Sequence, residues 1–296
     1  MATVTPNIDQ QRVSARPRNR PIQYYTGPIL NYALLIMLTI LFLIPFYVIF
    51  RNALMTQAQI TSFDWIWLPN PPQWSNVVDL FNDPSAPMGT GLRNSAIIAV
   101  VQTVGQMFIA SLAGYGLARI PFRYSNAVFY AMLVTLMIPS AVTFVPSYVI
   151  VAAFGWVNTF QGLIIPGLFN TFAAFLFRQF YLDFPQDIED AGWVDGLGYW
   201  GIYRHLLLPN SVGILVALGA ITFIASWNAF LWPLIIGQTP DWWTVQVVLS
   251  TFLTAQTINL PELFMGAAVA VVPLIVVFLV LQRYIVEGVA LTGVKT

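Results

Sequence analysis

The stretch Ala127-Val-Phe-Tyr-Ala-Met-Leu-Val-Thr-Leu-Met-Ile-Pro-Ser-Ala-Val-Thr-Phe-Val-Pro-Ser-Tyr-Val-Ile-Val-Ala152 holds no charged residue, and it lies in a longer uncharged window from Arg123 to Arg178. A helix rises 1.5 Å per residue and crosses the hydrocarbon core in ~20 residues, so this window holds two crossings. The turn between them is expected at Gly155 to Asn158. Further uncharged windows run from Arg93 to Arg119, from His205 to Asp241 and from Glu262 to Arg283, and an apolar run spans Pro28 to Phe50. The reading is an all-α, polytopic membrane protein with six transmembrane helices, at about 28–50, 92–117, 127–152, 158–177, 208–236 and 263–283.

Composition agrees. Of 296 residues, 58% are hydrophobic and 8% charged, against ~25% charged in an average soluble domain. Twelve basic and twelve acidic residues balance, so no net field recruits nucleic acid. The absence of cysteine rules out disulfides, thiolate catalysis and cysteine-ligated metals. Prolines at Pro45, Pro139, Pro146, Pro166, Pro233 and Pro273 each lack a backbone donor and are expected either to bend or break a span or to reflect only the greater frequency of proline in membrane helices.

Basic residues set the orientation. Arg12, Arg16, Arg18, Arg20, Arg119, Arg123, Arg178, Arg204, Arg283 and Lys295 fall on one side of the six-span scheme, and only Arg51 and Arg93 on the other. Both termini are therefore expected in the cytoplasm, and the first span is expected to stay as an anchor. The domain reading is a cytoplasmic tail at 1–27, a transmembrane domain at 28–284 with a cytoplasmic loop at 184–205, and a cytoplasmic C-terminal tail at 285–296. The ten residues from Glu287 to Thr296 would reach ~35 Å if extended, enough to meet a neighbouring subunit; a frayed terminus is the other reading.

Catalytic parts are missing. The one histidine, His205, falls at a predicted membrane edge; there is no HExxH, no GxSxG and no carboxylate pair within a span. Gly288-Val-Ala-Leu-Thr-Gly293-Val-Lys295-Thr296 approaches a P-loop, but Val294 separates the glycine from the lysine and no helix follows. Uncharged spans also disfavour an ion-coupled carrier. No catalytic, cofactor-binding or metal-ligating residue is expected in this chain.

The strongest local grammar is in Phe184-Pro-Gln-Asp-Ile-Glu-Asp-Ala-Gly-Trp-Val-Asp-Gly-Leu-Gly-Tyr-Trp-Gly-Ile-Tyr-Arg-His-Leu-Leu-Leu-Pro209. Pro185 and the acids Asp187, Glu189 and Asp190 suit a helix start. Gly192 and Gly196 are four apart and are expected to share a close-packed face. On physical grounds alone the segment is either a working surface helix or a mere connector.

This segment resembles the EAA loop of ABC importer permeases, with the pattern E-E-A-A-x-x-D-G followed about a dozen residues later by I-x-L-P. Glu189, Asp190, Ala191, Gly192, Asp195, Gly196, Leu206, Leu208 and Pro209 take those places; Asp190, Gly192 and Leu206 are mild departures. Asn94-Ser95, Tyr115-Gly-Leu-Ala-Arg119, Phe175-Leu-Phe-Arg178-Gln179-Phe180, Trp227-Asn228-Ala229-Phe230, Trp232-Pro233-Leu234, Gln282-Arg283-Tyr284 and Gly293-Val294-Lys295 follow the order of the maltose-type carbohydrate branch. Ala229 departs from an acid common in that family.

The resemblance implies a type I importer permease of a bacterial or archaeal plasma membrane. Its implied partners are a second homologous permease, two ATP-binding cassette subunits that bind ATP and Mg, an extracytoplasmic solute-binding protein, and membrane lipid. Glu189, Asp190, Ala191, Gly192, Asp195 and Gly196 are then the ATPase-coupling candidates. For a sugar, held by hydroxyl hydrogen bonds and aromatic faces, the candidates along the path are Gln102, Gln106, Asn170, Trp227 and Asn228; the competing role for each is a bond between helices. The connection from Gly237 to Pro261, with Asp241-Trp242-Trp243, is expected to face outward, either towards the binding protein or as an aromatic belt at the headgroup level. Import of glycerol 3-phosphate or another small solute is the alternative within this class, and a membrane scaffold without transport is the alternative outside it.

Overall fold

The computed structural model describes the backbone of residues 23–254 and 258–293. These residues form α1 (Gln23–Ala53), α2 (Gln57–Ile60), α3 (Ser75–Asn82), α4 (Met88–Arg119), α5 (Ser125–Thr135), α6 (Ser140–Ala153), α7 (Phe160–Ile164), α8 (Thr171–Leu182), α9 (Gln186–Val194), α10 (Tyr199–Ile202), α11 (Leu208–Asn210), α12 (Val212–Trp227), α13 (Leu231–Ile236), α14 (Val245–Thr254) and α15 (Leu260–Gly293). No strand occurs among the described residues. The chain divides into two compact units, residues 1–48 and 49–296.

In the first unit α1 is apolar around its whole circumference, with Leu30, Ile36, Leu41 and Phe42 all exposed. Such a surface suits hydrocarbon rather than water. Almost all of the predicted N-terminal tail lies outside the described residues.

The second unit is built on α4, which is apolar and long enough to span a membrane, as is α15. Three further spans are broken pairs. α5 and α6 meet at 99°, the Phe160–Gly167 and Thr171–Leu182 segments at 43°, and the Tyr199–Asn210 and Val212–Trp227 segments at 73°. Counted singly with α1, α4 and α15, these pairs give six spans. The turn expected at Gly155 to Asn158 is present, with left-handed backbone at both residues, φ 69° and 55°.

The prolines differ in effect. Pro139 precedes α6 at the sharpest bend, and Pro166 lies in a 3-10 turn that interrupts the fourth span. Pro45, Pro146 and Pro273 instead sit inside continuous helices. The predicted single helix over 208–236 stops at Trp227 and restarts at Leu231, because Pro233 has no N–H to offer the carbonyl of Ala229.

Two segments carry helix where the sequence reading had a loop and a tail. The segment after Gly237 carries a helix: α14 buries Val245, Val248 and Phe252 in a core with Leu80, Met88, Trp227 and Met265, and Val247 is buried as well. Residues 255–257 of that segment lie outside the described residues. The C-terminal stretch is not extended from Glu287, since α15 continues to Gly293; Val294, Lys295 and Thr296 lie outside the described residues.

Candidate functional site

Pro185 precedes α9, and Asp187 and Glu189 occupy its first turn, where negative charge meets the positive end of the helix dipole. The helix closes in a Schellman motif: the N–H of Gly196 bonds to the Trp193 carbonyl at 3.1 Å, and that of Leu197 to the Gly192 carbonyl at 2.9 Å. Gly196 has φ 81°, which an L side chain adopts only under strain.

The two glycines therefore serve different ends. A Cβ on Gly192 would lie 2.8 Å from Leu206 Cδ1, so α9 packs closely against the following segment of its own chain. A Cβ on Gly196 would meet nothing within 4 Å. Within this chain only Gly192 of the two is closely packed, and Gly196 is needed for its backbone conformation.

From α10 the chain passes through a π turn, Tyr203–Leu207, into α11, with the Leu208 N–H reaching back to the Tyr203 carbonyl. Pro209 follows, where no backbone donor exists to continue the α pattern. The turn buries Tyr203 and Leu207 in a core with Tyr115, Phe177, Tyr181 and Leu218.

Polar groups lock this core. Ser111 Oγ shares hydrogen bonds with the hydroxyls of Tyr181, at 2.7 Å, and Tyr203, at 2.9 Å. Tyr115 donates to the Tyr199 carbonyl at 2.8 Å. Arg119, at the end of α4, pairs through Nε with Glu189 Oε1 at 2.8 Å and donates through Nη2 to the Phe184 carbonyl at 2.7 Å. α4 also crosses α8 closely, since a Cβ on Gly114 would lie 2.6 Å from Phe177 Cβ and 2.8 Å from the Arg178 nitrogen.

Glu189 thus faces into its own chain and is 6% exposed. Burial pushes its carboxyl above the ordinary 4.5; Arg119 pulls it back and Asp190 raises it further. The other coupling candidates, Asp190, Ala191, Asp195 and Gly196, are exposed, as are Ile188, Trp193 and Val194. α9 therefore has one face fastened to α4 and to the π turn and one face free.

All five path candidates have partners within the chain. Gln102 Nε2 donates to the carbonyls of Leu163 and Ile164 at 3.1 and 3.3 Å, and its Oε1 accepts from Ser226 at 2.6 Å. Gln106 Nε2 donates to the Gly167 carbonyl at 2.5 Å. These carbonyls lie at the Pro166 interruption, where helical donors are lost. The Gly162 carbonyl, whose helical donor would be residue 166, accepts instead from Trp232 Nε1 at 3.0 Å. Asn170 caps α8 by accepting from the Ala173 N–H, and the buried Trp227 donates to the Ala270 carbonyl. Asn228 is exposed and accepts from Gln246 Nε2 at 3.1 Å. The stitching by Gln102, Gln106 and Trp232 was hinted at only by polar residues recurring in apolar spans. The Ser111, Tyr181 and Tyr203 cluster had no such signal. Among the described residues no group of three or more His, Asp or Glu stands ready for a metal.

Residues 106–290 match the family described as binding-protein-dependent transport system inner membrane component. Relatives include an arabinooligosaccharide transport permease of Halalkalibacterium halodurans, 34% identical over 70% of this chain and 74% of the relative. A lactose transport permease of Rhizobium radiobacter is 32% identical over 73% and 78%. An sn-glycerol-3-phosphate transport permease of Yersinia enterocolitica is 29% identical over 87% and 94%. A solved bacterial ABC transporter involved in import of the acidic polysaccharide alginate shares the fold, with a TM-score of 0.78 at 19% identity over 90% of this chain and 98% of that one.

Proposed function

The chain belongs to the family of binding-protein-dependent transport system inner membrane components, and from that premise we propose that it forms half of the pathway of an ATP-driven sugar or oligosaccharide importer. It is a multi-pass membrane transport subunit rather than an enzyme. The partners in this proposal are a second permease, two ATPase subunits that carry ATP and Mg, and an external solute-binding protein. The basic ends of the spans then face the cytoplasm.

One observation carries the coupling role: α9 is fastened by Arg119, Phe184 and Leu206 to the ends of three spans, while Asp190, Ala191, Trp193, Val194 and Asp195 stay exposed. A push on the free face is passed to α4, α8 and α12 as a rigid movement. Glu189 acts in this scheme by holding α9, and Gly196 by setting its exit. A sugar is supported by the two relatives named for sugars. Glycerol 3-phosphate is the second reading, supported by the Yersinia relative.

The test is purification of the chain with its copurifying subunits, followed by ATPase assays with candidate solutes and the cognate binding protein. Stimulation by a neutral saccharide supports the sugar reading, and stimulation by glycerol 3-phosphate alone replaces it. Recovery without any ATPase subunit, and without stimulation, removes the transport reading.

A further inference from the structure

Beside the clasp between Arg119 and Glu189 lies a polar cleft of about 770 Å³, lined by Arg119, Arg123, Arg178, Glu189, Asp190 and Trp193 among others. An apolar groove of about 350 Å³ adjoins it, lined by Ala113, Gly116, Val128, Met132 and Phe169. Leu117, Ile120 and Phe122 line both, so the two form one continuous surface with a polar head and an apolar limb.

The charges in the cleft are unequally engaged. Glu189 neutralises Arg119. Arg178 lies 3.9 Å over the Phe129 ring and donates to the Leu117 carbonyl. Arg123 is exposed, has no carboxylate partner among the described residues, and lies 5.4 Å from the Tyr124 ring centre. With Asp190 counted, three arginines face two acids, leaving one positive charge. Ser125 and Asn126, in the first turn of α5, also line the cleft, which adds the positive end of a helix dipole.

We propose that this surface binds one anionic phospholipid, with its phosphate against Arg123 and an acyl chain along Gly116, Val128 and Met132. Basic pockets between spans at the cytoplasmic face select anionic headgroups in this way. A free anion would use only the cleft, and a protein partner would have no need of the groove. Only the choice of leaflet rests on the proposed orientation.

Gly116 makes the inference testable, because a Cβ there meets nothing within 4 Å. Gly116→Phe fills the groove from a helical position without touching the cleft. The full chain, purified with its copurifying subunits, is titrated with phosphatidylglycerol or phosphatidylcholine and retained lipid is counted by native mass spectrometry. The wild type should keep one phosphatidylglycerol in preference to phosphatidylcholine. Arg123→Gln and Gly116→Phe should each lower that retention about fivefold, while Arg123→Lys keeps most of it. Equal retention of the two lipids, or none, overturns the proposal. So does full retention in Gly116→Phe, which would indicate headgroup binding alone. Loss of the ATPase subunit in Arg123→Gln with lipid retention unchanged would assign the cleft to a protein interface instead. Failure of the transport reading leaves this measurement standing, since it reads lipid and not solute.

Discussion

Arg119 and Glu189 close a 2.8 Å ion pair between the end of α4 and the first turn of α9, and both side chains are largely withdrawn from solvent. The pair joins a membrane-spanning helix to the one surface helix that the family resemblance assigns to coupling. Removing Arg119 leaves a buried carboxylate without its counter-charge, which costs far more than removing both partners. Arg119→Met should lower the unfolding midpoint of the purified protein and open residues 184–205 to protease, at a cost of about 2–3 kcal/mol. The double variant Arg119→Met with Glu189→Gln should recover most of that loss. Equal loss in the single and double variants would mean that the pair is not the clasp.

Acid should not loosen this clasp. The Glu189 carboxyl is raised above its ordinary value chiefly by burial, so the folded state holds the proton more tightly than the unfolded chain does. Its contribution to stability is complete below the ordinary carboxylate range and fades as pH rises through the raised value. Protease protection of the loop should therefore hold or rise as pH falls from 7 towards 5, and Glu189→Gln should flatten that dependence. A loop that opens on acidification would show that attraction to Arg119, and not burial, sets this carboxyl.

Gly196 and Gly192 should fail in different ways. At φ 81° an asparagine is tolerated far better than a β-branched residue. Gly196→Asn should keep the exit of α9, whereas Gly196→Val should cost about 1–2 kcal/mol locally and lower stimulated ATPase activity with insertion unchanged. Gly192→Leu collides with Leu206 and should destabilise the loop itself. Protease mapping beside ATPase assays separates the two, and equal behaviour of Gly196→Asn and Gly196→Val would remove the conformational argument.

Much of the architecture is legible in sequence because hydrocarbon imposes a simple rule. Charge-free windows of the right length located the spans, and Gly155 with Asn158 marked a real reversal, since left-handed backbone favours those residue types. The breaks were less legible. A proline removes one donor wherever it sits, yet whether the helix continues depends on neighbours that take up the freed carbonyl. Trp232 does so for Gly162 across a sequence gap that no local pattern records. The coupling loop was found by residue type, but the reasons differed: Glu189 turned inward to Arg119, and Gly196 answered a backbone need. Ser111 with Tyr181 and Tyr203 was invisible, because a serine in an apolar span does not name the helices it joins.

Gln102 and Gln106 test whether such bonds outweigh any contact with cargo. Between them they serve the carbonyls of Leu163, Ile164 and Gly167. Gln102→Leu should leave two carbonyls and Ser226 without their partner and cost about 1–3 kcal/mol, seen as a lower unfolding midpoint without solute present. Gln102→Glu keeps the length but loses the donor, and should behave as badly. A variant with normal stability but altered solute preference would return Gln102 to the cargo path.

The free face of α9 gives the most direct test of coupling. Val194 is 88% exposed at the end of the helix, with Trp193 beside it at 42%, and a lone chain gains nothing from presenting them to water. If this face meets the ATPase, burying a charge there costs affinity, while the free chain is indifferent to the change. Val194→Asp should therefore leave expression, insertion and unfolding midpoint within about 0.5 kcal/mol of wild type. Recovery of the ATPase subunit with the purified chain should fall severalfold, and stimulated hydrolysis with it. Asp187, also exposed but in the first turn at the other end of α9, provides the control: Asp187→Asn should alter hydrolysis less than Val194→Asp does. Full recovery of the ATPase with Val194→Asp would place the contact elsewhere and leave α9 a connector between spans.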